Sequence, residues 1–195
     1  MSVESMDWIL ASASPRRKAL LGEIVEKFEI IPATGEEKTD RNLSPKQIVM
    51  ELAKAKAQEV ALLPQAQGKA VLGADTIVVL DGGILGKPKD ERDAMRMLTA
   101  LSGKTHFVYT GVCISLPFGA ERKLLCEVEE TEVVFEKLSK AQIEKYISTG
   151  SPMDKAGAYG IQDGGLVKEI KGSYSSVVGL PVELCKRLIK ETENG

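Results

Sequence analysis

The stretch Leu10–Leu21, LASASPRRKALL, constrains the fold more than any other part of the sequence. It opens as the end of a buried strand, WILA, and turns within a few residues into an amphipathic helix. A strand that feeds straight into a helix is the opening half of an α/β unit. Pro15 falls in the first helical turn, where its missing amide hydrogen is no loss because that amide is unpaired anyway. Arg16 and Arg17 follow at the helix mouth, where positive side chains oppose the helix macrodipole. An anion held there would compensate them.

The rest of the chain alternates in the same way, with no low-complexity linker and no internal repeat, which predicts a single α/β domain over residues 1–195. KFEIIPA reads as a second strand. SPKQIVMELAKAKAQEVALL reads as a long amphipathic helix, with Ser44 as N-cap and Pro45 at the first helical position. KAVLGADTIVVLDGGILGKP gives a strand, an Asp-Gly-Gly turn and a return strand. KDERDAMRMLTALSG is a helix that Gly103 ends in a left-handed cap. Strands at THFVYTGVCISL and KLLCEVEETEVVFEKL and a helix at SKAQIEKYISTG lead into the glycine-rich passage MDKAGAYGIQDGGLVKEIKGSYSSVVGLP, which precedes a terminal helix. Glycine at that density marks tight bends or close approach to a ligand.

With 195 residues, 43% of them hydrophobic, the chain buries one good core or two small lobes sharing a sheet. The net charge of −2 leaves no general footprint for nucleic acid, so any anion is held locally. No apolar run reaches the roughly 18 residues of a membrane span, and the N-terminus lacks the pattern of a signal peptide, so a cytoplasmic protein is expected. Cys113, Cys126 and Cys185 are widely spaced and lack metal-ligand spacing, and are expected as ordinary buried thiols.

His106 is the only histidine and lies inside a strand pattern, where a packed or edge role is the plainer reading than catalysis. DGGILGKP is not a phosphate loop: Asp81 stands in place of the first glycine and Pro88 in place of the magnesium-binding Ser or Thr. What remains is Asp75, framed by AVLGA and TIVVL; Glu37 in GEEKTD; Lys56 in LAKAKA; and Lys87, pinned between Gly86 and Pro88, where it presents a point charge to phosphate. A double arginine at a helix start, two isolated lysines, two acidic positions and a glycine-rich loop suit a magnesium–polyphosphate site.

Six ordered blocks, LASASPRR, LAKAKA, GADTIVVLDGGILGKP, LSGKTHFVYTGV, PMDKAGAYGIQ and GSYSSVVGLP, together resemble the Maf family of nucleotide pyrophosphatases across nearly the whole chain. The resemblance implies a fold like that of inosine triphosphate pyrophosphatase: an elongated mixed β-sheet flanked by helices, with two lobes around a cleft. It also implies hydrolysis of a nucleoside triphosphate to monophosphate and pyrophosphate with a divalent cation (Mg2+, Mn2+ or Co2+), and a homodimer. SPRR, ADT and GIQ resemble the branch acting on dTTP and UTP. On that basis Asp75 carries over as the catalytic carboxylate, with Glu37 helping to hold the metal. Ser12, Arg17, Lys56 and Lys87 carry over as phosphate-cradling groups, and Arg16, Thr76 and Gln162 as substrate-selecting positions. In the family the glycine-rich stretch after GIQ is usually slightly longer and ends in Phe-Val, whereas here DGGLVKEI is shorter and lacks the phenylalanine. A different class of role, a nucleotide-binding regulator of cell division and septum formation, is the alternative, and the intact set Asp75, Glu37, Lys56 and Lys87 argues for turnover.

Overall fold

In the computed structural model, which describes residues 6–36, 40, 42–118 and 121–193, strands and helices alternate along most of the chain. β1 (Trp8–Leu10), α1 (Pro15–Gly22), β2 (Phe28–Ile30) and α2 (Pro45–Ala61) are followed by β3 (Ala70–Leu80), β4 (Gly83–Leu85) and α3 (Glu91–Leu101). Then come β5 (Thr105–Phe118), β6 (Glu121–Phe135), α4 (Lys140–Ile147), β7 (Val167–Lys171), α5 (Tyr174–Val178) and α6 (Val182–Glu193). The strands form one sheet in the order β2-β1-β3-β5-β6-β7, with β4 paired to β3. β1 pairs parallel with both β2 and β3, while β3/β4 and β6/β7 are antiparallel, so the sheet is mixed, as expected.

The chain divides into two compact units, one of residues 1–75, 110–129 and 179–195, the other of residues 76–109 and 130–178. In the first, Trp8, Leu10, Leu72, Val112 and Ile114 from the strands bury against Leu21 of α1 and Leu184 and Leu188 of α6. α2 lies directly on sheet backbone, because two glycines remove the side chains that would hold it away. A Cβ on Gly73 of β3 would stand 2.4 Å from the Ala53 carbonyl oxygen and 2.6 Å from the Ala57 nitrogen. A Cβ on Gly111 of β5 would stand 2.5 Å from the Val49 oxygen. The helix starts as the sequence predicts: the Ser44 hydroxyl accepts from the Gln47 N–H and the Gln47 side chain accepts from the Ser44 N–H at 2.9 Å.

In the second unit, Val78 of β3, Met97, Leu98 and Leu101 of α3, Phe135 of β6 and Ile143 of α4 form the core with Tyr159. The β3–β4 turn is tighter than the sequence reading: Asp81 (φ 50°) and Gly82 (φ 78°) make it alone, and Gly83 already belongs to β4. Gly103, at φ 69°, takes the left-handed position past α3. The glycine-rich passage holds more structure than its composition suggests: three short 3-10 turns at Ser151–Asp154, Ala156–Ala158 and Ile161–Asp163, then β7 and α5.

The cysteines need a correction. Cys113 and Cys126 form a disulfide between β5 and β6, and only Cys185 is a buried thiol. Their separation of 13 residues carries no metal or motif spacing, and only the neighbouring position of the two strands brings them together. His106 is a packed histidine, 1% exposed, between the rings of Phe135 and Tyr159, with Nε2 2.8 Å from the Tyr159 hydroxyl. Burial pulls its pKa down from 6.5 to about 4. The folded state therefore keeps His106 neutral while the unfolded chain protonates, so this contribution is fully present above pH 6.5 and is lost as pH falls from 6.5 toward 4. The loss by pH 4 amounts to about 3 kcal/mol. Urea unfolding of the wild type and of His106→Gln at both ends of that window checks it: the variant should show a smaller pH slope, and an equal slope removes His106 as the cause.

Candidate active site

β1 and β3 run parallel with Leu10 opposite Leu72, and the Ala11 N–H donates to the Leu72 carbonyl at 2.8 Å. The chain therefore leaves β1 at Ser12 on the side toward which β3 carries Asp75. The carboxyl ends of parallel strands are where α/β sheets bind ligands. Ser14 caps α1 by accepting from the Arg17 N–H at 3.4 Å, with Pro15 at the first helical position. The Ser12 hydroxyl oxygen accepts from the Ser14 N–H at 3.2 Å and from Arg17 Nη1 at 3.4 Å. Both are accepted bonds, and a hydroxyl that accepts also carries one proton with which it can donate to a ligand oxygen.

Arg17 is held at both ends of its fork. Its Nε–H donates to the Gly179 carbonyl at 2.8 Å, 162 residues further along the chain, while Nη1 reaches Ser12. Gly179 sits at φ 133°, where glycine is favoured. Arg16 lies beside it in the first turn of α1, half-buried, and that turn contains no acidic residue. The helix mouth thus combines two guanidinium groups, a hydroxyl donor and the positive end of a dipole, all favouring an anion.

The second element of this unit is an ion pair. Lys56 Nζ on α2 contacts Asp75 Oδ1 on β3, with the two side chains only 18% and 11% exposed. The close packing of α2 on Gly73 places the lysine over the strand two residues before Asp75. The ammonium offsets the burial of the carboxylate and orients it. One turn further along α2, the Glu59 carboxylate accepts from the Thr34 N–H at 2.7 Å and from the Gly35 N–H at 3.0 and 3.1 Å. The Thr34 N–H, foremost, holds that carboxyl below the usual carboxylate range. Glu37, two residues beyond this anchored loop, lies outside the described residues.

The remaining candidates belong to the second unit. Thr76, next along β3, is half-buried; Lys87 is exposed between β4 and α3; Gln162 is exposed in the middle of the turn Ile161–Asp163. The segments bearing Lys87 and Gln162 are stitched together, since the Gly157 N–H donates to the Gly86 carbonyl at 3.0 Å. Gly157 needs to be glycine: its φ is 69°, and a Cβ would stand 3.0 Å from Val78 Cγ2. Ala158 follows in the same left-handed region at φ 59°, a strained conformation held within the core.

The structure thus joins Ser12 to Arg17 and Lys56 to Asp75 in one unit, and places Thr76, Lys87 and Gln162 in the other. Sequence reasoning missed two positioning groups. The Gly179 carbonyl lay within the quoted block GSYSSVVGLP, and Glu59 lay one helical turn after Lys56 on the same face, the signal by which it was open to being found.

A sequence profile described as "Maf-like protein" matches residues 7–192. The dTTP/UTP pyrophosphatase of Agathobacter rectalis is 50% identical over 188 residues, covering 89% of this chain and 91% of that protein. The dTTP/UTP pyrophosphatase of Bacillus cytotoxicus is 47% identical over 190 residues, covering 96% of each chain. A solved structure of the Staphylococcus aureus Ham1 protein covers 66% of this chain and 72% of its own at 16% identity and a TM-score of 0.40, a likeness too distant to add to the strand order. A family profile that matches residues 7–192 of the chain, together with relatives at about half identity, makes this chain a member of the Maf family.

Proposed function

We propose that this protein hydrolyses dTTP and UTP to the monophosphate and pyrophosphate. The observation that carries the reading is 50% identity, over 89% of the chain, with a dTTP/UTP pyrophosphatase. The geometry is consistent with it. Water attacks the α-phosphorus, the α–β anhydride bond breaks, and pyrophosphate leaves with the bonding electron pair. Asp75 receives the proton of the attacking water, and Lys56 orients that carboxylate beforehand. Arg17, fixed by the Gly179 carbonyl, presents its guanidinium to phosphate oxygens, and the Ser12 hydroxyl donates a hydrogen bond. Lys87 adds a point charge for the leaving group. Arg16, Thr76 and Gln162 select the base, the Gln162 amide matching the donor and acceptor edge of uracil or thymine.

Among the described residues no three His, Cys, Asp or Glu side chains gather into a cation cage. A hard divalent ion that arrives on the substrate's phosphates needs only one or two carboxylates, a donor set that suits Mg2+, Mn2+ or Co2+. Asp75 and Glu37 would hold it. Such an ion supplies charge neutralisation on the phosphates and acidifies a bound water. A cytoplasmic location and a homodimer belong to the same proposal and are supported by the family resemblance. No described helix is long and apolar enough to cross a membrane.

Product identity tests the reaction. With dTTP or UTP and magnesium, the purified protein should release pyrophosphate and the monophosphate, resolved by ion-exchange chromatography. Orthophosphate with a nucleoside diphosphate would mean attack at the γ-phosphorus and would sink the proposal.

A further inference from the structure

We infer that the Tyr146 hydroxyl is a positioning group for pyrimidine recognition, locking both ends of the turn that carries Gln162. The inference rests on the reading of Gln162 as a base-selecting residue and adds to it the device that holds that residue still. Tyr146 stands on α4, a helix capped by a Ser139–Gln142 box and rooted in the core through Ile143 and Ile147. Its hydroxyl donates to Asp163 Oδ2 at 2.5 Å and accepts from the Gly160 N–H at 2.9 Å. One oxygen therefore grips the residue before the turn and the last residue within it, with Gln162 between them.

A second group braces the same carboxylate. The Ser151 hydroxyl donates to Asp163 Oδ2 at 2.7 Å, and Lys155 Nζ donates to the Ser151 hydroxyl oxygen at 3.0 Å and to its carbonyl at 2.5 Å. The surrounding residues show why a lock is needed. Gly164 and Gly165 both sit at φ 72°, so the turn leaves into two residues of high backbone freedom. On the entry side a Cβ at Gly160 would fall 2.8 Å from Asp163 Oδ2 and 2.8 Å from Lys155 Cε, so glycine there is what lets the network close. Gln162 itself is exposed, and nothing about its own burial fixes it. Burial, with the Asp163 charge beside it, raises the Tyr146 pKa, so the hydroxyl keeps its proton and remains a donor at any working pH.

A reader that hydrogen-bonds to a base edge discriminates only if it is held in place, because the matched base loses more than the mismatched one when the reader moves. The lock therefore acts on the ratio between nucleotides and not on the chemical step. The experiment is kcat/KM for UTP, dTTP, CTP and GTP in the wild type, Tyr146→Phe, Gln162→Ala and the double variant. Loss of both hydrogen bonds, of which the one from Gly160 is partly buried, should lower the UTP/CTP ratio in Tyr146→Phe by roughly fivefold to tenfold. The loss should appear in KM for UTP, with kcat at saturation within about twofold of the wild type. The double variant should discriminate no worse than Gln162→Ala, since both changes remove one reading. Asp163→Asn keeps an accepting oxygen and should retain most of the ratio, whereas Asp163→Ala should lose it. Asp163 is exposed, so this pair reports on the lock even if Tyr146→Phe unfolds.

A wild-type ratio in Tyr146→Phe or Asp163→Ala, with a lowered ratio in Gln162→Ala, overturns the lock and leaves the reading of Gln162 standing. An unchanged ratio in Gln162→Ala overturns both. An equal kcat loss for all four nucleotides in Tyr146→Phe overturns the lock in favour of plain structural support.

Discussion

Asp75→Asn should lower turnover of dTTP by at least about a hundredfold, the usual scale for losing a general base, while leaving a folded protein. The substitution keeps the shape of the side chain and removes its charge. It also has a stability effect that the sequence alone does not disclose, because Asp75 is the counter-ion of Lys56 and both side chains are largely buried. Removing the charge of Asp75 deletes one ion-pair partner of the Lys56 ammonium, and for a pair with this residual solvent access the destabilisation should be about 1–3 kcal/mol. For a chain of this size that lowers Tm by about 2–4 °C per kcal/mol. The double variant Lys56→Met/Asp75→Asn removes both charges and should recover most of the Tm with none of the turnover. Calorimetry beside a pyrophosphate-release assay separates the two effects. Near-normal turnover in a folded Asp75→Asn would take Asp75 out of the mechanism.

Gly73→Ala should be at least as damaging, although it adds one methyl group and touches no charge. That methyl would lie 2.4 Å from the Ala53 oxygen and 2.6 Å from the Ala57 nitrogen. Both are backbone atoms of α2, so no side chain can swing aside and the helix itself has to lift from the sheet. Overpacking ordinarily costs about 1–3 kcal/mol, and with rigid backbone on the far side the upper end or beyond is expected. Lys56 rides on the same helix, so lifting α2 separates it from Asp75; a misplacement of about 1 Å at a reacting centre is enough for a loss on the order of a hundredfold. Gly22→Ala is the control, since its Cβ would meet nothing within 4 Å. Denaturant unfolding and turnover of the two variants decide the matter. Gly73→Ala behaving like Gly22→Ala would show that the close approach of α2 is not what sets the ion pair.

The elements most legible in the sequence were those with local signals. Ser14-Pro15 and Ser44-Pro45 announce helix starts through capping chemistry that acts within one turn, and Asp81-Gly82 announces a hairpin through its φ demands. β7 and α5 were hidden because VKEIK and YSSVV lie among glycines, and their structure depends on pairing with β6 and packing against partners distant in sequence. Asp75 was legible as a carboxylate among apolar strand residues, and Lys56 as a lysine on a helix. That the two meet depends on Gly73, whose effect is tertiary. The Cys113–Cys126 bridge and the Arg17–Gly179 bond were illegible for the same reason: each joins residues that only the assembled sheet and the terminal segment bring together.

The discontinuity of the two units has a consequence for synthesis. The second unit is complete in the chain at Val178, whereas the first waits for the stretch that begins at Gly179. That late stretch supplies Leu180, Leu184 and Leu188, which close over Trp8 and Leu10, and the carbonyl that orients Arg17. A chain emerging from the ribosome in N-to-C order can therefore finish its second unit first. Trp8 and Leu10 remain without that cover until the stretch from Gly179 onward arrives. The arginine at the helix mouth, although made 162 residues before Gly179, is aimed only once that carbonyl arrives. Nascent or C-terminally clipped chains would thus carry Asp75 without an oriented Arg17, and the proposed hydrolysis would wait for the stretch that begins at Gly179.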